Sequence, residues 1–83
     1  MVCAFVLITV PPNRAGAIID ELRNYPEVRE AATVYGEADI VAKVQTDSTR
    51  ELDRLIMNVI QGIPDVRSTR TLVAIERLHW IRS

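Results

Sequence analysis

An α+β chain of the ferredoxin-like class, βαββαβ, is the fold this sequence predicts, and three observations predict it. The first ten residues are almost wholly β-branched, aliphatic or aromatic, with no helical period. Two segments with helical apolar spacing each separate two β-patterned runs, and the connections are only a few residues long. Gly36 stands between two consecutive β-patterned runs and marks the connection of a hairpin. Short right-handed crossovers place both helices on one face of a four-stranded antiparallel sheet, with strands one and three central and strands two and four at the edges.

Residues 1–10 give the first strand, and the Pro11-Pro12 pair stops it. Both its faces are apolar, which suits a central strand covered on both sides. Residues 13–25 carry Ala15, Ile18, Ile19 and Leu22 at i, i+3, i+4 and i+7, with Arg14, Asp20, Glu21, Arg23 and Asn24 elsewhere on the wheel. This is an amphipathic helix, with Asn13 as its expected N-cap and Pro26 ending it. Cys3, within the first apolar run, reads as a small core residue.

The second strand, residues 28–35, alternates Val28, Glu30, Ala32 and Val34 against Arg29, Ala31, Thr33 and Tyr35, and its charged start suits an edge. A tight hairpin through Gly36, Glu37 and Ala38 leads to the third strand, residues 39–46, where Ile40, Ala42 and Val44 alternate with Val41, Lys43 and Gln45. A turn carrying Glu37 and Asp39 is costly unless both carboxylates face water, a partner chain or a ligand.

Ser48-Thr49-Arg50-Glu51 has capping-box spacing and opens the second helix. Its main stripe is Leu52, Leu55, Ile56, Val59 and Ile63; Met57 and Ile60 widen it, and contact of Met57 or Ile60 with a second chain is expected, with core filling as the alternative. Gly62 and Pro64 close the helix. The fourth strand spans residues 66–75, with Arg67, Thr69, Thr71, Val73 and Ile75 on one face and Ser68, Arg70, Leu72 and Ala74 on the other. A tail over residues 77–83 is expected to dock on a neighbour through Trp80.

Composition narrows the function. Eighty-three residues make one domain, and a chain of this size buries only about 60–65% of its unfolded surface, so self-association is the expected source of further stability. Strand one and strand four are apolar on the face without helices, which predicts a two-fold dimer with sheets face to face. A formal charge of −1, from ten basic and eleven acidic residues, carries no electrostatic footprint for nucleic acid or anionic lipid. The longest apolar run is less than half of what spans a bilayer and has no basic segment before it. A cytoplasmic protein is expected. His79 stands alone with no cluster at metal-ligand spacing, and no phosphate loop or Ser/His/Asp set is present, so no cofactor or metal is expected.

Four stretches carry a family resemblance: Ala4-Phe5-Val6-Leu7-Ile8, Val34-Tyr35-Gly36-Glu37-Ala38-Asp39-Ile40-Val41, Glu51-Leu52-Asp53, and Ile63-Pro64-Asp65-Val66-Arg67-Ser68-Thr69-Arg70-Thr71. Over residues 2–76 the chain resembles the effector-binding RAM domain of the Lrp/AsnC feast/famine regulators, in stand-alone form. The resemblance implies sheet-to-sheet dimers that assemble into rings and bind free amino acids between dimers. It further implies a role in transcriptional or metabolic regulation, alongside full-length Lrp/AsnC regulators. The family's helix-turn-helix lies outside the resembling stretch, so direct contact with DNA is not expected.

An amino-acid ligand presents an ammonium and a carboxylate. Asp39 and Glu37 offer acidic acceptors, Gly36 allows close backbone approach, and Ser68, Thr69 and Thr71 offer hydroxyls on the matching segment of strand four. The alternatives are an Asx-type turn bond for Asp39, plain β-propensity for the threonines, and packing rather than site lining for Tyr35. Two further readings compete with a non-catalytic sensor. A dimeric α+β barrel enzyme would need a His, Asn or Trp facing its cavity, whereas His79 and Trp80 lie past strand four. An ACT-like regulatory module shares both fold and ligand class.

Overall fold

The computed structural model describes residues 1–75 and 79–82. The elements run β1 (Val2–Thr9), a 3₁₀ turn (Pro12–Arg14), α1 (Ala15–Leu22), β2 (Val28–Thr33), β3 (Ile40–Thr46), α2 (Thr49–Arg54) continuing into a π-helical segment (Leu55–Ile60), and β4 (Ser68–Val73). The sheet order is β2-β3-β1-β4 with every neighbouring pair antiparallel, which is the ferredoxin-like arrangement with β1 and β3 central.

Alternation along the central strands sends Ala4, Val6 and Ile8 of β1, and Ile40, Ala42 and Val44 of β3, to one face, where all six are fully buried. Ile18 and Leu22 from α1, Leu52 from α2, and Leu55, Ile56 and Ile60 from the π segment close over them. Both helices therefore cover the same face. The other face carries Phe5 and Leu7 of β1 and Val41 and Lys43 of β3, half-buried, with Leu72 of β4 exposed. Cys3 is a buried core residue, as its apolar neighbourhood implies.

Several local expectations are corrected. Asn13 is not an N-cap: Pro11 and Pro12 pre-set a 3₁₀ turn, closed by Arg14 N–H to Pro11 O at 2.9 Å, and α1 starts at Ala15 without a side-chain cap. Its far end tightens after Leu22, where Asn24 and Tyr25 bond back to Glu21 and Leu22. At the second helix the Ser48 side chain accepts from Glu51 N–H at 3.2 Å, while the Glu51 carboxylate reaches Asp47 N–H at 3.3 Å rather than that of Ser48.

The second strand does not alternate as its sequence suggests. A bulge between Val28 and Glu30 takes Arg29 out of register, so Val28 pairs with Val44 and Glu30 with Lys43. One extra residue reverses the parity. Val28 thus shares the helix-side face with Ala31, and Glu30 shares the open face with Ala32. β2 ends at Thr33, and Val34 and Tyr35 belong to the loop.

The second helix widens after Arg54. Gln61 N–H bonds to Ile56 O at 2.8 Å, an i→i+5 bond that takes more residues per turn than an α-helix. The buried stripe therefore drifts: Ile60 is fully buried, Val59 is half-buried, and Met57 remains 66% exposed. Ile60 fills the core and is not available to a second chain. β4 is shorter than expected, though Arg67 N–H to Thr9 O and Ala74 N–H to Cys3 O extend its ladder by a residue at each end.

Of the tail, the parts at residues 76–78 and 83 lie outside the described residues. His79 packs edge-on against Phe5 of the open face, with ring centroids 6.4 Å apart. Trp80 is exposed and carries the Arg82 guanidinium over its ring at 4.8 Å.

Candidate ligand-binding site

The connection between β2 and β3 is a six-residue loop rather than a tight turn. Val34 N–H bonds to Asp39 O at 3.0 Å and closes it, and Gly36 holds φ at 116°, a left-handed conformation that other residues rarely adopt. The loop leans on β1. Asp39 N–H donates to Ile8 O at 3.0 Å, and the Asp39 Oδ2 accepts from Val10 N–H at 2.9 Å. Val10 is buried, so its amide needs an acceptor, and the ladder partner that would supply one has already turned away into the loop. Ala38 is buried beneath the same corner.

Rigid support on one side leaves the other side open. Tyr35 is fully exposed, so it does not pack within its own chain, and Gly36 and Glu37 also face solvent. Of the two loop carboxylates, only that of Glu37 faces fully outward. Asp39 is half-buried and spends one oxygen on Val10.

The antiparallel register then divides the residues of β4. Thr69 stands opposite Ile8 and Thr71 opposite Val6, both on the helix-covered face, and the Thr69 hydroxyl accepts from Gln61 Nε2 at 2.9 Å. Ser68 stands opposite Thr9 and Arg70 opposite Leu7, on the open face. Glu37 and Ser68 are thereby brought into one small cleft with Leu7, Thr9, Ala38 and Arg70, about 60 Å³ in volume. Asp39, Gly36 and Tyr35 belong to the loop above it. Thr69 and Thr71 are not in this constellation.

Within the cleft the Thr9 and Ser68 hydroxyls share a short hydrogen bond, and Arg70 Nη1 lies 3.8 Å from Glu37 Oε2. Arg70 and Thr9 were not among the sequence candidates. The alternation of the fourth strand did place Ser68 and Arg70 on one face, and pairing that face with β1 is the step that finds them. Larger concavities lie elsewhere, one of about 420 Å³ lined by residues including Tyr25, Glu27, Glu51, Leu55 and Val59, and none of its lining residues comes from the hairpin loop.

Among the described residues no group of three or more His, Cys, Asp or Glu could hold a metal ion, and no helix is long and apolar enough to cross a membrane. The arrangement offers recognition groups, acidic, hydroxyl and guanidinium, around a backbone corner.

Residues 3–79 match the model of the Lrp/AsnC ligand binding domain. The HTH-type transcriptional regulator FL11 of Pyrococcus horikoshii is 30% identical over 73 residues, which are 88% of this chain and 48% of that protein. The chain spans about half the length of the curated relatives it matches. The crystal structure of FFRP-DM1 superposes with a TM-score of 0.86 at 39% identity, covering 90% of this chain and 100% of that one. A feast or famine regulatory protein from M. tuberculosis, complexed with L-methionine, superposes with a TM-score of 0.82 at 28% identity, covering 100% of this chain and 56% of that one.

Proposed function

Because this chain belongs to the Lrp/AsnC family, through that family's ligand-binding domain, we propose that it is a non-catalytic, cytoplasmic sensor that binds a free amino acid at the hairpin loop. Occupancy is passed to transcriptional control through a protein partner, which includes full-length regulators of the same family. The observation that carries this reading is the loop itself: Asp39 ties one side to β1 while Tyr35, Gly36 and Glu37 stay open. A ligand or a second subunit is what such a supported, outward-facing set can meet. The L-methionine bound by the M. tuberculosis relative supports the ligand class.

The site is completed between subunits. A cleft of about 60 Å³ holds little more than one or two waters, so a partner copy must supply the remaining walls. Phe5, Leu7, Val41 and Leu72 on the open face favour a sheet-to-sheet dimer, and dimers assemble further into a ring that brings hairpin loops together.

A thermal-shift screen against the twenty amino acids tests the reading. A ligand that binds only the folded assembly raises its melting temperature by mass action. A concentration-dependent rise with one or a few amino acids is expected; a flat response to all twenty at millimolar concentration contradicts the proposal.

A further inference from the structure

The open-face cleft holds a set of groups that the hairpin loop alone does not explain. Register fixes it: Arg70 sits across from Leu7 and Ser68 across from Thr9, while Glu37 descends from the loop. Three separate stretches of chain thus converge a guanidinium, two hydroxyls and a carboxylate around an apolar floor of Leu7 and Ala38. On the amino-acid reading above, we infer that Arg70 anchors the ligand carboxylate and Glu37 its ammonium, and that the ligand parts the Arg70–Glu37 pair as it enters.

Geometry supports each role. At 3.8 Å the Arg70–Glu37 contact attracts without being a direct hydrogen bond, so it leaves the fork of the guanidinium and the carboxylate oxygens able to turn to a ligand. Both side chains are largely exposed, at 70% and 90%, and an exposed pair of this kind holds together only weakly. Opening it is cheap. The Thr9 and Ser68 hydroxyls are held against each other at the edge of the same cleft and add polar atoms beside the charged pair. A zwitterion matches this set, whereas an amine or a carboxylic acid leaves one charged group without its complement.

The alternative is that the pair only braces the hairpin against β4. A charge swap separates the two. Binding of L-methionine, or of whichever free amino acid the thermal-shift screen identifies, is measured by calorimetry for the wild type, for Arg70→Gln, and for the double variant Glu37→Arg/Arg70→Glu. The inference expects Arg70→Gln to weaken binding about tenfold or more. It expects the double variant, which keeps an ion pair but reverses its charges, to recover none of that loss. Unchanged binding by Arg70→Gln, or recovery to the wild-type level in the swap, overturns the assignment while the sensor reading stands. If the wild type binds none of the twenty amino acids, the sensor reading and this assignment fall together.

Discussion

The carboxylate of Asp39 accepts the backbone N–H of Val10 at 2.9 Å, across 29 positions of sequence. An acidic residue that reads as the tip of an exposed turn is thus a clasp between the hairpin and the end of β1. Asp39→Ala leaves a buried amide unsatisfied and should cost about 1–3 kcal/mol. For a domain of this size each kcal/mol lowers the melting temperature by about 4–8 °C. Asp39→Asn keeps an acceptor oxygen and should recover most of the loss. If thermal melting of Asp39→Ala matches wild type, the clasp is not a stabilising contact.

Gly36 tests the loop from the backbone side. Its φ of 116° is strained for any L side chain, although a Cβ there meets no atom within 4 Å. Gly36→Val should therefore destabilise by about 1 kcal/mol or more through the backbone alone. Equal chemical-denaturation midpoints for the two proteins contradict this.

Ile60 and Met57 lie on the same segment and separate core from surface. Ile60→Ala empties a fully buried position and should cost about 2–5 kcal/mol in unfolding experiments. Met57→Ala, at a site 66% exposed, should fall within about 0.5 kcal/mol of wild type unless oligomerisation changes. Light scattering alongside the melts distinguishes the two sources of any Met57 effect.

Leu72 reports on assembly. It is about half exposed on the open face, directly opposite half-buried Phe5. Leu72→Asp should give a folded, smaller species, because a carboxylate in an apolar face-to-face contact opposes association. Light scattering of the wild type should show at least twice the 9.3 kDa chain mass. A wild-type monomer at micromolar concentration sinks the dimer proposal.

The 83-residue chain by itself should show no salt-dependent gel shift with duplex DNA at physiological ionic strength. Its charge is −1, and phosphate contacts need clustered Lys and Arg. A shift that weakens as salt rises contradicts the expectation.

Much of the fold was legible because β1 is apolar on both faces and must be central, while the spacing of Ile18 and Leu22 forces a helix over the sheet. The bulge at Arg29 was not legible, since an extra residue in a strand leaves no mark in composition and is fixed by the pairing with β3. The π segment escaped for a similar reason: Val59 and Ile60 are equally apolar, and only the i→i+5 bond decides which one turns inward. In the hairpin loop, the left-handed backbone of Gly36 was readable from its residue type. Asp39's partner and the placing of Arg70 beside Glu37 depend on contacts distant in sequence, which no local pattern encodes. Ser68, Thr69 and Thr71 share the segment that the family resemblance marks, and the pairing with β1 sets Ser68 on the open face and both threonines on the helix-covered one.

The strand order has a consequence for the time course of folding. β2 and β3 are joined by a short loop and can zip together as soon as both exist. β1 pairs instead with Thr46 at one edge and with Val73 at the other, so its two ladders close loops that span most of the molecule. Such long-range closures slow the search for the native state. Because β1 precedes β4 by most of the domain, the edge it shares with β4 is the last part of the sheet that synthesis can complete. Until then one edge of a strand apolar on both sides stands open, and partly folded chains with such an edge are prone to stick to one another.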